Sequence, residues 1–267
     1  MSDKEINIFP TVEELSEFAA NEFVLLSKSA IQQRGVFTVA LSGGSTPKKL
    51  FALLVSDAFR ARIDWSKVQI FFGDERVVPP DDEESNYRMA NETLLSKVAI
   101  PAENVHRFQT ESYSKKDFIE HTDGGGFGRF QAETKAVAEI AAKMNRQIVD
   151  IFKLEPQEFP RFDLIFLGMG ADGHTASLFP DSAALEETEK IVTENYVEKF
   201  DSFRLTFTFP TINNARSVIF LIAGEDKARV LEEVLESETI KYPAQKIQLI
   251  DGKLLFLLDE KAAEKLS

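Results

Sequence analysis

Short continuous apolar runs alternate along this chain with longer stretches whose apolar residues recur every three or four positions. INIF (from Ile6), VFTVAL (from Val36), VQIFF (from Val68), FDLIFL (from Phe162), SVIFLI (from Ser217), IQLI (from Ile247) and KLLFLL (from Lys253) predict strands. Helices are predicted over 11–33, from about Thr46, from Asn86 to about Lys97, over 132–152 and from Glu225 to Glu236. Local signals bound them. Thr11 followed by Glu14 is a capping-box pattern, Gly35 suits a helix stop, and Pro47 suits the first position of its helix, where a missing N–H costs nothing.

Alternation of this kind predicts an α/β fold built from βαβ units: a mostly parallel sheet with helices on both faces. The 267 residues suffice for one large domain or two small ones, and the expectation is a single domain over 1–267. The polar residues cluster tellingly. SGGSTP, GDER and GMGADGH each follow the carboxyl end of a predicted strand, the edge where open α/β sheets bind ligands.

Composition narrows the chemistry. The chain has no cysteine, which removes disulfides, thiolate metal sites and cysteine nucleophiles. Three histidines speak against a histidine-rich metal centre. A net charge of −13 argues against a nucleic-acid partner, yet leaves room for a small anion, because a few arginines can reverse the field inside one pocket. No apolar run has signal-peptide or membrane-spanning length, so no membrane partner is expected and the cytoplasm is the default location.

Each motif has two readings. In LSGGSTPKKL, Gly43 and Gly44 allow close backbone approach, while Ser45, Thr46 and a helix N-terminus offer donors to a phosphate; the same residues also make an ordinary strand-to-helix turn. In GDER, Asp74 and Arg76 are either a surface ion pair or a grip on an anionic substrate. In GMGADGHTASLFP, the G-x-G-x-x-G spacing fits a dinucleotide fingerprint, with Glu194 near the position of a ribose-binding acid. Pro180 follows too soon for the long helix that fingerprint requires, and Asp172 would face a pyrophosphate. His174 is either a structural histidine or a base oriented by Asp172. Arg204 in SFRLTFTFP and Lys227 in AGEDKARVL are either surface charges or phosphate ligands.

Taken together, LSGGSTP, GDERVVPPDDEESNYRMA, DLIFLGMGADGHTASLFP, RLTFTFPTINNAR, FLIAGEDKA and YPA (Tyr242–Ala244) resemble the 6-phosphogluconolactonases, which share an α/β superfamily with glucosamine-6-phosphate deaminases and ribose-5-phosphate isomerases. The resemblance spans most of the chain. It implies a Rossmann-like sheet without a dinucleotide, and hydrolysis of 6-phospho-D-glucono-1,5-lactone in the pentose phosphate pathway without metal or cofactor. It implies His174 as base with Asp172 beside it, Gly43, Gly44, Ser45 and Thr46 as phosphate loop, and Asp74, Arg76, Arg204 and Lys227 as further substrate ligands. The expected partner is the phosphorylated lactone, and the expected state a monomer or weak dimer. Two alternatives stay open: a deaminase or isomerase of the same superfamily, and a non-catalytic sugar-phosphate sensor. Residues 110–131, glycine-rich and longer than the family pattern, are expected to be a surface insertion or a lid.

Overall fold

The computed structural model describes residues 4–111 and 125–267. Strand β1 (Lys4–Phe9) leads into helix α1 (Val12–Arg34). Thr11 caps that helix by accepting the Glu14 N–H at 3.2 Å, and Gly35 ends it in the left-handed region, its N–H on Ile31 O. There follow β2 (Phe37–Leu41), α2 (Ser45–Leu54), α3 (Asp57–Arg60), β3 (Val68–Phe72), β4 (Asp74–Arg76) and α4 (Asn86–Thr93). The second half contains α5 (Gly125–Phe152), β5 (Leu164–Leu167), β6 (Val192–Val197), β7 (Ser202–Phe207), α6 (Phe209–Asn213), β8 (Ser217–Ile222), α7 (Ala228–Glu236) and β9 (Lys253–Asp259).

Six strands form one sheet in the order β1-β9-β8-β5-β2-β3, every neighbouring pair parallel. Strands β2, β5 and β8 are buried at every position, as expected of a sheet covered on both faces. A second, three-stranded antiparallel sheet has the order β4-β7-β6. Gly73 joins the two: its N–H bonds Leu41 O at 2.9 Å and its carbonyl accepts Phe207 N–H at 2.8 Å. Phe162 completes the junction, its ring 5.1 Å from both Phe71 of β3 and Phe207 of β7.

Several expectations need correction. GDER, expected only as the polar end of the preceding strand, contains a strand of its own, β4, because the backbone from Asp74 to Arg76 finds its partners on β7. VTENYV, not predicted, is β6. IQLI is not a strand: the N–H groups of Gln248 and Ile250 bond Asn213 instead of a sheet neighbour. Helix α2 begins at Ser45, so Pro47 is its third residue. Helix α4 ends at Thr93, and Leu95–Lys97 is a separate 3₁₀ turn. Glu225–Lys227 is likewise 3₁₀, with α7 following. Helix α5 starts seven residues earlier than expected, within the glycine-rich stretch; the rest of that stretch, 112–124, lies outside the described residues.

Candidate active site

The carboxyl ends of β2, β3, β5 and β8 converge on a cleft of about 570 Å³. Gly43, Gly44, Ser45, Thr46, Asp74, Arg76, His174, Arg204 and Lys227 all line it. Asp172 stands behind His174. The three polar segments singled out in the sequence therefore meet in one place, and β7 adds a fourth contribution that no strand-end pattern announces.

The turn after β5 is tight: Gly173 N–H bonds Gly170 O at 3.0 Å, and Gly170 N–H bonds His174 O at 2.9 Å. It folds the imidazole back against the backbone so closely that a Cβ at Gly170 would lie 2.1 Å from the ring. His174 Nδ1 is 2.5 Å from Asp172 Oδ1, and Lys199 Nζ is 3.2 Å from Asp172 Oδ2. Burial raises the Asp172 carboxyl, but the hydrogen bond and charge of His174 together with Lys199 outweigh it and hold Asp172 at about 2. An ionised carboxylate only accepts, so in the neutral imidazole Nδ1 carries the proton and Nε2 the lone pair. Phe179 fixes the ring plane from one side, stacked at 4.1 Å and 23°.

The opposite wall is cationic. In the β4–β7 register Arg76 lies directly across from Arg204, a like-charge pair that is unfavourable by itself. Arg76 donates to Glu84 O at 2.8 Å and Asn86 Oδ1 at 2.6 Å; Arg204 donates to Ser202 Oγ at 2.8 Å. Among the described residues neither guanidinium is in an ion pair. Burial and the neighbouring Arg76 charge pull the Arg204 pKa below its ordinary value. Gly44, at φ 108°, starts α2 without a side-chain cap, leaving the first-turn N–H groups of Ser45 and Thr46 for another acceptor. Lys227 is paired with Asp226 at 2.5 Å.

Asp74 lines the cleft, but its carboxylate is engaged: Ser177 Oγ donates to it at 2.7 Å and Asn86 Nδ2 lies 3.4 Å away. Sequence reasoning missed Asn86 as a site residue. It bridges Asp74 and Arg76 and packs against Gly43, where a Cβ would meet its Oδ1 at 1.8 Å. Asn86 is held in turn by buried Glu75, which accepts from Ser85 Oγ and from the N–H groups of Arg76, Asn86 and Tyr87. Burial pushes Glu75 up to about 7 against the pull of those three N–H groups. Lys199 and Phe200 were also missed. They sit at the β6–β7 hairpin tip, which has no motif of its own; Phe200 lines the cleft with its ring 5.7 Å from the Arg204 guanidinium.

Comparison with known proteins assigns the chain to a family. Residues 10–256 match the family model described as glucosamine-6-phosphate isomerases/6-phosphogluconolactonase. The 6-phosphogluconolactonase of Synechocystis sp. is 40% identical over 239 residues, covering 89% of this chain and 88% of that protein. That of Nostoc sp. is 39% identical over 241 residues, covering 90% and 88% respectively. A solved 6-phosphogluconolactonase structure from Trypanosoma brucei superposes with a TM-score of 0.83 at 30% identity, covering 100% of both chains. The chain belongs to the glucosamine-6-phosphate isomerase/6-phosphogluconolactonase family. Within it, the chain is one of the lactone-hydrolysing enzymes.

Proposed function

We propose that the chain hydrolyses 6-phospho-D-glucono-1,5-lactone to 6-phospho-D-gluconate, serving the oxidative pentose phosphate pathway, with His174 as general base. One observation carries the reading: a histidine with its Nδ1 committed to an ionised aspartate faces, across one cleft, two arginines and an open helix N-terminus.

The phosphate docks on the Ser45 and Thr46 N–H groups and is countered by Arg204 and Lys227. This remote contact holds the lactone carbonyl near His174. Nε2 takes a proton from a water as its oxygen attacks C1. Asp172 stabilises the imidazolium that forms, and Lys199 keeps Asp172 ionised. Arg76 donates to the oxyanion on C1. Collapse breaks the bond between C1 and the ring oxygen, which receives the proton from His174 Nε2. The released acid then ionises. General acid–base assistance of this kind contributes roughly 10²–10⁴-fold.

The deaminase reading meets an obstacle at Phe179. Deaminases of the superfamily carry a glutamate before the proline that follows the GxGxDGH segment, and that glutamate belongs to ring opening. Here the position is an aromatic ring stacked on His174, unable to move a proton.

The test follows consumption of freshly made lactone, corrected for spontaneous opening. Fast turnover of the phosphorylated lactone, slow turnover of plain gluconolactone and no ammonia from glucosamine 6-phosphate are the expected results. Equal kcat/KM for both lactones would remove the phosphate assignment, and ammonia release without lactonase activity would overturn the reaction.

A further inference from the structure

The amino edge of the parallel sheet, a strand's length from the active cleft, carries a second hollow of about 510 Å³. Arg34 at the end of α1, Arg161 shortly before β5 and Arg216 just before β8 line it, together with Phe152, Leu154 and Phe159. Asp163 is buried between Arg34 and Arg216. Its oxygens are spent: Oδ1 accepts from Arg34 Nε and Nη2 at 3.1 and 2.8 Å, and Oδ2 from the Thr38 N–H and hydroxyl at 2.9 and 3.1 Å.

Arg216 Nε is 3.4 Å from Asp163 Oδ1, close enough for attraction but without a formed hydrogen bond. Arg161 is held only through Nη2, on the carbonyl and carboxylate of Asp251. The Nε atoms of Arg161 and Arg216 are both buried, with no acceptor among the described residues. Buried donors without partners are rare and costly. Three guanidiniums also crowd around one buried carboxylate and one largely exposed carboxylate, Asp251. Burial and the charges of Arg34 and Arg161 pull Arg216 below its ordinary range. In a chain of net charge −13, this concentration of unmatched positive charge is out of place unless an anion completes it.

We propose that the hollow is a binding site for a small organic phosphate, with the phosphate between the Arg161 and Arg216 guanidiniums and an apolar body against Phe152, Leu154 and Phe159. Two planar forks approaching from different strand ends suit a tetrahedral dianion, which offers oxygens in several directions; a carboxylate presents only one plane. The aromatic wall suits a ring rather than a bare ion. This site is independent of the lactonase reaction and contains none of its residues.

Isothermal titration of the full chain with phenyl phosphate tests the proposal. The active cleft also takes phosphates, so the wild type is expected to bind a second equivalent that the Arg161→Leu/Arg216→Leu variant lacks, while its lactone kcat and KM stay unchanged. Arg216→Lys, the milder change, keeps the charge but loses the fork and is expected to weaken the second equivalent by about tenfold. Inorganic phosphate should occupy the site more weakly than phenyl phosphate. Identical stoichiometry and affinity in wild type and both variants would overturn the site. Benzoate binding as tightly as phenyl phosphate would overturn the phosphate assignment.

Discussion

The two sheets serve the cleft in different ways. The parallel sheet contributes backbone and turns: uncapped N–H groups after β2 and the glycine-bound loop after β5 that presents His174. The antiparallel sheet contributes rigid side chains, placing Arg76 and Arg204 across from each other by strand register. A loop at the end of a parallel strand can fold a base back toward the substrate, whereas a ladder fixes the spacing of two charges that repel. The lesson is a division of labour. In the proposed mechanism, turn geometry sets up the proton chemistry, and strand pairing sets up the anion field.

Substitutions on each side should therefore fail differently. The largest effect is expected from His174→Ala, with kcat lower by about 10²-fold or more and phosphate inhibition retained, read by steady-state kinetics on fresh lactone. Near-normal turnover by the folded variant would take the base away from the β5 turn. On the other sheet, Arg204→Ala removes a charged hydrogen-bond donor and should cost about 10–10² in kcat/KM, mostly through KM. A pure kcat loss there would mean the antiparallel sheet also takes part in the proton chemistry.

The sheets should also respond oppositely to pH. Glu75 of β4 is pushed from 4.5 up to about 7, so the folded state holds its proton more tightly and loses stability as pH rises through that window. His106 bonds Gln69 of β3 and Gln147 of α5, and burial pulls it from 6.5 down to about 4. The folded state therefore loses stability as pH falls through that window. Each contribution is at most about 3 kcal/mol, and between pH 4.5 and 6.5 they oppose each other. Denaturant unfolding of Glu75→Gln should expose a stability that declines on acidification, and His106→Gln one that declines on alkalinisation. Parallel slopes in the two variants would contradict the assignment. The smallest effect is expected from Lys199→Met at the hairpin tip. An exposed partner of Asp172 should be worth only a few-fold in kcat, with KM unchanged and the acid limb of the pH profile moved upward. A change in KM alone would make Lys199 a substrate contact instead.

Much of this was legible before folding. All six strands of the parallel sheet were readable as apolar runs: burial on both faces leaves a continuous signal in the inner strands, while the edge strand β1, largely exposed, shows only the short INIF run. The antiparallel strands were harder. β4 is three residues of charged sequence, and β6, VTENYV, mixes polar and apolar positions; both are strands because β7 lies between them. IQLI misled for the complementary reason: its composition suits a strand, but α6 offers the acceptors first. Every candidate site residue lines the cleft except Asp172, which stands behind His174, yet Asp74 proved to be held by Ser177, and Asn86, Glu75, Lys199 and Phe200 were passed over. Asn86, Lys199 and Phe200 stand in no local pattern that distinguishes them from ordinary surface or helix-start residues, and Glu75, though inside GDER, owes its role to burial that the motif does not announce.

What the sequence alone determined was the parallel sheet, its glycine turns and the segments that meet at its carboxyl edge, since periodicity, caps and turn chemistry act over a few residues. Tertiary structure decided the rest: the Arg76–Arg204 pairing, the Lys199 support of Asp172, and the three-arginine hollow at the opposite edge. Those contacts join positions 27 to 129 residues apart. Their electrostatics come from burial and proximity, which no local stretch of chain encodes.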